Sequence, residues 1–127
     1  MTSELINFRK PSDPANLTLT AFQYRVPEWQ KATFGNQAKP EDIADKMHEE
    51  FEELLDVIHE GVEYDGTRVE EVNYAEAAEE MADVFIMLLQ LADSLNVDLA
   101  RAAEAKMTIN MGRTWNVNSK GIAQHQE

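Results

Sequence analysis

Apolar residues recur along this chain with the period of a helix, and they do so in four blocks. The first starts at Leu17, with Ala21, Tyr24, Trp29 and Ala32 spaced for a helix that enters at Asn16 or Thr18. Pro27 falls inside this block and, lacking a backbone N–H, predicts a kink or a split. Gly35-Asn36 ends the block, and Pro40-Glu41-Asp42 opens the next one with acids in its first turn. In that second helix, over 41–60, Ile43, Met47, Phe51, Leu54, Leu55 and Ile58 share one arc, and Gly61 stops it. Residues 61–73 hold Asp65-Gly66 and no helical period, which predicts a loop. The third helix, over 74–95, is apolar almost all round from Val84 to Ala92 apart from Gln90, as a central buried helix would be. The fourth runs from near Asp98 through Leu99, Ala102, Ala103, Lys106, Met107 and Asn110 to near Gly112. No stretch alternates with period two for long enough to argue a sheet, so the predicted class is all-α. Residues 1–16, with Pro11 and Pro14, read as an irregular arm, 17–113 as one helical domain, and 114–127 as a polar tail.

Composition narrows the function. A chain of 127 residues fits one domain, and one this small gains from self-association. With 24 acidic against 11 basic residues the net charge is −13, which argues against a nucleic-acid polymer as partner. The longest apolar run, Val84–Leu89, is far short of the roughly 20 residues a membrane span needs. Met1–Lys10 shows no basic-then-apolar pattern, so the expected location is the cytoplasm. There is no cysteine, hence no disulfide framework and no thiolate ligand or nucleophile.

Two acidic clusters carry the candidate chemistry, Glu49-Glu50-Phe51-Glu52-Glu53 and Glu79-Glu80-Met81-Ala82-Asp83. In each, two carboxylates stand three residues apart, Glu50 with Glu53 and Glu80 with Asp83, and such pairs share a helix face. Glu50 borders the apolar arc, and Asp83 directly precedes the all-round apolar stretch. Isolated carboxylates so placed are costly to ionise, whereas four converging on Mg²⁺ or Mn²⁺ are compensated, because hard cations take oxygen ligands. The plainer reading of either cluster alone is a solvated face. Lys106, Asn110 and Arg113 recur at one-turn spacing and form a ridge able to hold phosphate oxygens, or simply a solvated helix end.

Glu49-Glu50-x-x-Glu53, a gap of 26 residues, then Glu80-x-x-Asp83 and Lys106-x-x-x-Asn110-x-x-Arg113 resemble the signature of the all-α nucleoside triphosphate pyrophosphohydrolases, the MazG-like superfamily. Phe22-Gln23, Trp29 and Thr33-Phe34-Gly35 are similar to that family's first helix, and Arg113-Thr114-Trp115 with Gly121 and His125 to the tail of its phage members. Within the superfamily the nearest resemblance is to the purine-directed branch, including phage MazZ-like enzymes acting on dGTP or dATP. The resemblance implies a four- to five-helix bundle that forms a dimer or a dimer of dimers. It implies two or more Mg²⁺ ions (Mn²⁺ being able to substitute), with Glu50, Glu53, Glu80 and Asp83 as ligands. Glu50 and Glu49 would be the catalytic acids, Glu49 as outer-sphere group or general base. Lys106, Asn110 and Arg113 would contact triphosphate or sugar, and Gln23 and Trp29 the nucleobase. The implied reaction gives a nucleoside monophosphate and pyrophosphate. The alternative, motivated by the charge alone, is an acidic helical interaction protein, a DNA mimic or regulator without catalysis.

Overall fold

A computed structural model describes residues 18–35 and 38–126, so the arm expected over 1–16 lies outside the described residues. The chain divides into two compact units, one up to Val97 and one from Asp98 onward.

The first unit holds three helices, α1 (Leu19–Phe34), α2 (Pro40–His59) and α3 (Tyr74–Ser94). Their starts are set by local chemistry. Thr18 Oγ1 accepts from the Ala21 N–H at 3.1 Å, and Asn73 Oδ1 from the Glu76 N–H at 3.1 Å. Each such cap satisfies one orphan donor and contributes about 1 kcal/mol. α2 starts instead on Pro40, with Glu41 and Asp42 in the first turn against the positive end of the helix dipole.

Pro27 does not split α1. Val26 and Pro27 are the buried residues of that helix, and their burial where α1 packs on α3 offsets the hydrogen bond that proline cannot donate. The Phe22 ring meets Phe85 at 5.8 Å between centroids, and two turns on Gln30 Nε2 donates to Gln90 Oε1 at 3.0 Å, so α1 and α3 run in the same direction. α2 returns between them in sequence and makes the principal helix pair with α3. Val26, Ile43, Val57, Ala77, Leu89 and Ala92 form the core, with Leu89 wholly buried. α3 is not enclosed all round as its apolar run predicts. Met81 is 58% exposed and Phe85 also reaches solvent, because α1 and α2 cover only part of its circumference.

The α2–α3 connection is ordered by two devices. Gly61 follows α2 with φ +84°, and its carbonyl accepts from the N–H groups of Val69 and Glu70. The Arg68 guanidinium donates to the carbonyls of Ile58, Glu60 and Glu70, at 2.6, 3.4 and 3.1 Å, and so satisfies the frayed end of α2.

The second unit is α4 (Leu99–Met111) followed by a hairpin of β1 (Trp115–Val117) and β2 (Ala123–His125). Asp98 caps α4 by accepting from the Arg101 N–H. The strands are antiparallel, with Trp115 opposite His125 and Val117 opposite Ala123. The stretch expected to be a polar tail therefore carries a small sheet, closed by Asn118, whose Oδ1 accepts from the N–H groups of Lys120 and Ile122. Trp115 Nε1 donates to the Asn110 carbonyl at 2.8 Å and ties the hairpin to the end of α4.

Candidate metal centre

Glu50 and Glu53 stand one turn apart on α2, and Glu80 and Asp83 one turn apart on α3. Because these two helices form the main pair of the unit, the two acidic edges face each other. One carboxylate oxygen from each of Glu50, Glu80 and Asp83 lies within 4.8 Å of the other two. Octahedral Mg²⁺ places neighbouring oxygens about 3 Å apart and opposite ones about 4 Å apart. Small side-chain rotations would close this trio onto one ion.

Two further observations distinguish Glu80 from a freely solvated acid, and Asp83, though exposed, shares one of them. Glu80 Oε2 has no exposed surface and accepts no hydrogen bond, an uncompensated acceptor where a cation would supply the missing partner. Lost solvation, then the charge and hydrogen bond of Glu53, then the charges of Asp83 and Glu50, push the Glu80 carboxyl above the usual range. Asp83 is pushed up as well, first by lost solvation and then by Glu50 and Glu79, with Lys46 acting in the opposite sense. Glu80 and Asp83, partly stripped of water beside neighbouring carboxylates, disfavour their own ionised forms.

Of the four expected ligands, three form the compact trio. Glu53 is exposed and joins through its contact with Glu80. Glu49 projects outward, its side chain 67% exposed against 15% for Glu50. Sequence reasoning missed Lys46, whose Nζ lies 3.2 Å from Glu49 Oε2 and 3.4 Å from Glu50 Oε1. The hydrogen bonds to Glu49 and Glu50 raise its own pKa. The signal was present as i,i+3 and i,i+4 spacing on α2. His48 is exposed and bonds to Glu52, away from the trio.

Lys106, Asn110 and Arg113 lie in the second unit. Lys106 is exposed on α4, while Asn110 and Arg113 are half-buried at its end, where the Arg113 N–H donates to the Asn110 carbonyl. Gln23 and Trp29 lie on α1. Gln23 is half-buried. Trp29 is 55% exposed, stands edge-on to Phe34 at 5.3 Å, and lines an open depression with Phe22, Arg25, Val26 and Ile86.

The sequence pattern of the phosphoribosyl-ATP pyrophosphohydrolase family matches residues 5–105. A dATP/dGTP diphosphohydrolase of Salmonella phage PMBT28 is 31% identical over 108 residues, covering 85% of this chain and 31% of that protein. A dATP/dGTP diphosphohydrolase of Cyanophage S-2L is 44% identical over 46 residues, 36% of this chain and 44% of that protein. The chain thus spans less than half the length of the curated relatives it matches. Among solved structures, the Cyanophage S-2L MazG-like pyrophosphohydrolase bound to dGDP and three catalytic Mn²⁺ ions per active site is similar at a TM-score of 0.63 and 26% identity. That similarity covers 89% of this chain and 97% of the other.

Proposed function

This chain belongs to the phosphoribosyl-ATP pyrophosphohydrolase family, and from that premise we propose that it is a divalent-metal-dependent nucleoside triphosphate pyrophosphohydrolase directed at purine deoxynucleotides, dGTP and dATP. In the reaction a water oxygen bonds to the α-phosphorus, the α–β anhydride bond breaks, and nucleoside monophosphate and pyrophosphate leave. The observation that carries this reading is the trio of Glu50, Glu80 and Asp83 with the orphaned Glu80 oxygen inside it. The naming of the phage relatives and the dGDP in the similar structure support the substrate class.

Glu50, Glu80 and Asp83 would hold a divalent cation, and Glu53 beside Glu80 would add a carboxylate where two or more ions bind, with Mg²⁺ as the expected ion and Mn²⁺ as a substitute. When bound, such ions neutralise charge on the phosphate oxygens and lower the pKa of a bound water. Glu49 takes the proton of the attacking water. Lys106, Asn110 and Arg113 contact the triphosphate or sugar: a point charge, an amide and a guanidinium fork. Gln23 and Trp29 contact the nucleobase, by an amide edge and an aromatic face. Met81 and Phe85, left uncovered on α3, support assembly as a homodimer or a dimer of dimers. Among the described residues no helix is long and apolar enough to cross a membrane. We assign the protein to the cytoplasm, without a membrane or a nucleic-acid polymer as partner.

Incubation with each ribo- and deoxyribonucleoside triphosphate, with Mg²⁺ and with chelator, tests the proposal. Monophosphate and pyrophosphate released only with metal, fastest from dGTP or dATP, is the expected result. Orthophosphate with nucleoside diphosphate would place the attack at the wrong phosphorus. Inactivity toward every nucleotide would favour the acidic interaction protein.

A further inference from the structure

Lys46 is unlike the other cations of the first unit. Arg68 is spent on the carbonyls that end α2, Lys31 pairs with Asp93 at the far end of α3, and Arg25 lies over the Phe22 ring. Lys46 forms ion pairs with both Glu49 and Glu50 on α2, whereas His48 on the same helix bonds to Glu52. Its ammonium bridges two carboxylates of different character, the exposed Glu49 and the nearly buried Glu50. Its charge also reaches Asp83 across the helix pair. The bridge is built into the helix, because a residue three and four positions ahead of two consecutive acids overhangs the gap between them.

We infer that Lys46 is a positioning residue of this centre: it holds the Glu49 carboxylate beside Glu50 in the orientation a proton acceptor needs, at a cost in affinity for divalent cations. The inference rests on the proposed metal-dependent hydrolysis and makes two predictions of opposite sign. Untethering Glu49 frees an exposed side chain to sample many rotamers, so the chemical step slows. Removing a positive charge a few ångströms from the trio relieves repulsion of an incoming divalent cation, so metal binding tightens. A lysine that only stabilised the helix would move neither in this pattern.

The test uses Lys46→Met, which keeps most of the aliphatic stem, and Lys46→Arg, which restores the charge. Mn²⁺ binding is followed by calorimetric titration without nucleotide, and kcat and KM are measured on the fastest substrate. For Lys46→Met the expected results are Mn²⁺ binding about three- to ten-fold tighter at low salt, an advantage that shrinks as salt screens it. With these comes a kcat at least about ten-fold lower, at a KM within about two-fold of wild type. Lys46→Arg should return both quantities most of the way. Unchanged or weaker Mn²⁺ binding in Lys46→Met, or an unchanged kcat, overturns the assignment of Lys46 while leaving the functional reading intact. A wild-type protein without a saturable Mn²⁺ site overturns that reading and this assignment together.

Discussion

Replacing Gly61 by alanine tests whether the α2–α3 connection fixes the helix pair that bears the acids. The perturbation has two separable parts. Gly61 has φ +84°, where a side chain costs about 1–2 kcal/mol. A Cβ there would also stand 2.7 Å from Glu70 Cβ and 3.0 Å from the Glu70 carbonyl oxygen, groups that cannot swing aside as a side-chain tip can. Overpacking of that kind adds about 1–3 kcal/mol, which brings the total to about 2–5 kcal/mol. Gly66 supplies the control. It has φ +90° in the same loop, but a Cβ there meets nothing within 4 Å, so Gly66→Ala carries only the backbone cost. For a chain of this length 1 kcal/mol corresponds to about 3–5 °C in Tm. Thermal unfolding followed by circular dichroism, at one fixed protein concentration, should place Gly66→Ala about 3–10 °C below wild type and Gly61→Ala clearly lower. Equal losses in the two variants would refute the close approach of Gly61 to Glu70 as a source of rigidity. No loss in either would refute the whole argument about the loop.

Other consequences can be measured directly. Glu80→Gln and Asp83→Asn should each abolish pyrophosphate release while leaving the helical circular dichroism intact. Full turnover in either would sink the ligand assignment. Both carboxyls have folded-state pKa values above their unfolded ones, so each stabilises the fold when protonated. That contribution is present below the ordinary carboxylate range of about 4 and is lost as pH rises through the elevated values. Tm without metal should therefore fall across that window. Saturating Mn²⁺, which needs the ionised acids, should stabilise more at the upper end than at the lower. A metal-free protein whose stability rises throughout that window would contradict the crowding of the acids.

Helix boundaries were legible because they rest on local rules. Thr18, Asn73 and Asp98 cap, Pro40 opens α2, and each rule acts within four residues. The hairpin was not legible, because strands of three residues are too short to show a period of two. The continuity of α1 through Pro27 depends on burial of Val26 and Pro27 beside another helix, a tertiary term invisible to a local rule. The uncovered flank of α3 has the same cause: composition reports that residues are apolar, not which of them a neighbour reaches. For the site, paired acids at three-residue spacing pointed to Glu50, Glu80 and Asp83. Sequence did not show that Glu53 stays outside the tight trio, whereas the i,i+3 and i,i+4 spacing that sets Lys46 against Glu49 and Glu50 was there to read. The place of Glu53 depends on how α2 packs on α3, which no local spacing reports.

The hydrogen bond from the Trp115 indole to the Asn110 carbonyl has a practical consequence for optical work. The chain has two tryptophans, and the compact units hold one each, Trp29 in the first and Trp115 in the second. Trp29 is the more exposed and stands against the Phe34 ring, whereas the Trp115 nitrogen is anchored to main chain. Intrinsic emission is therefore a sum of two chromophores in different surroundings. Trp29→Phe leaves a reporter confined to the α4–hairpin unit, and Trp115→Phe one confined to the helices that carry the acids. A nucleotide or metal titration read through the pair would tell which unit responds first.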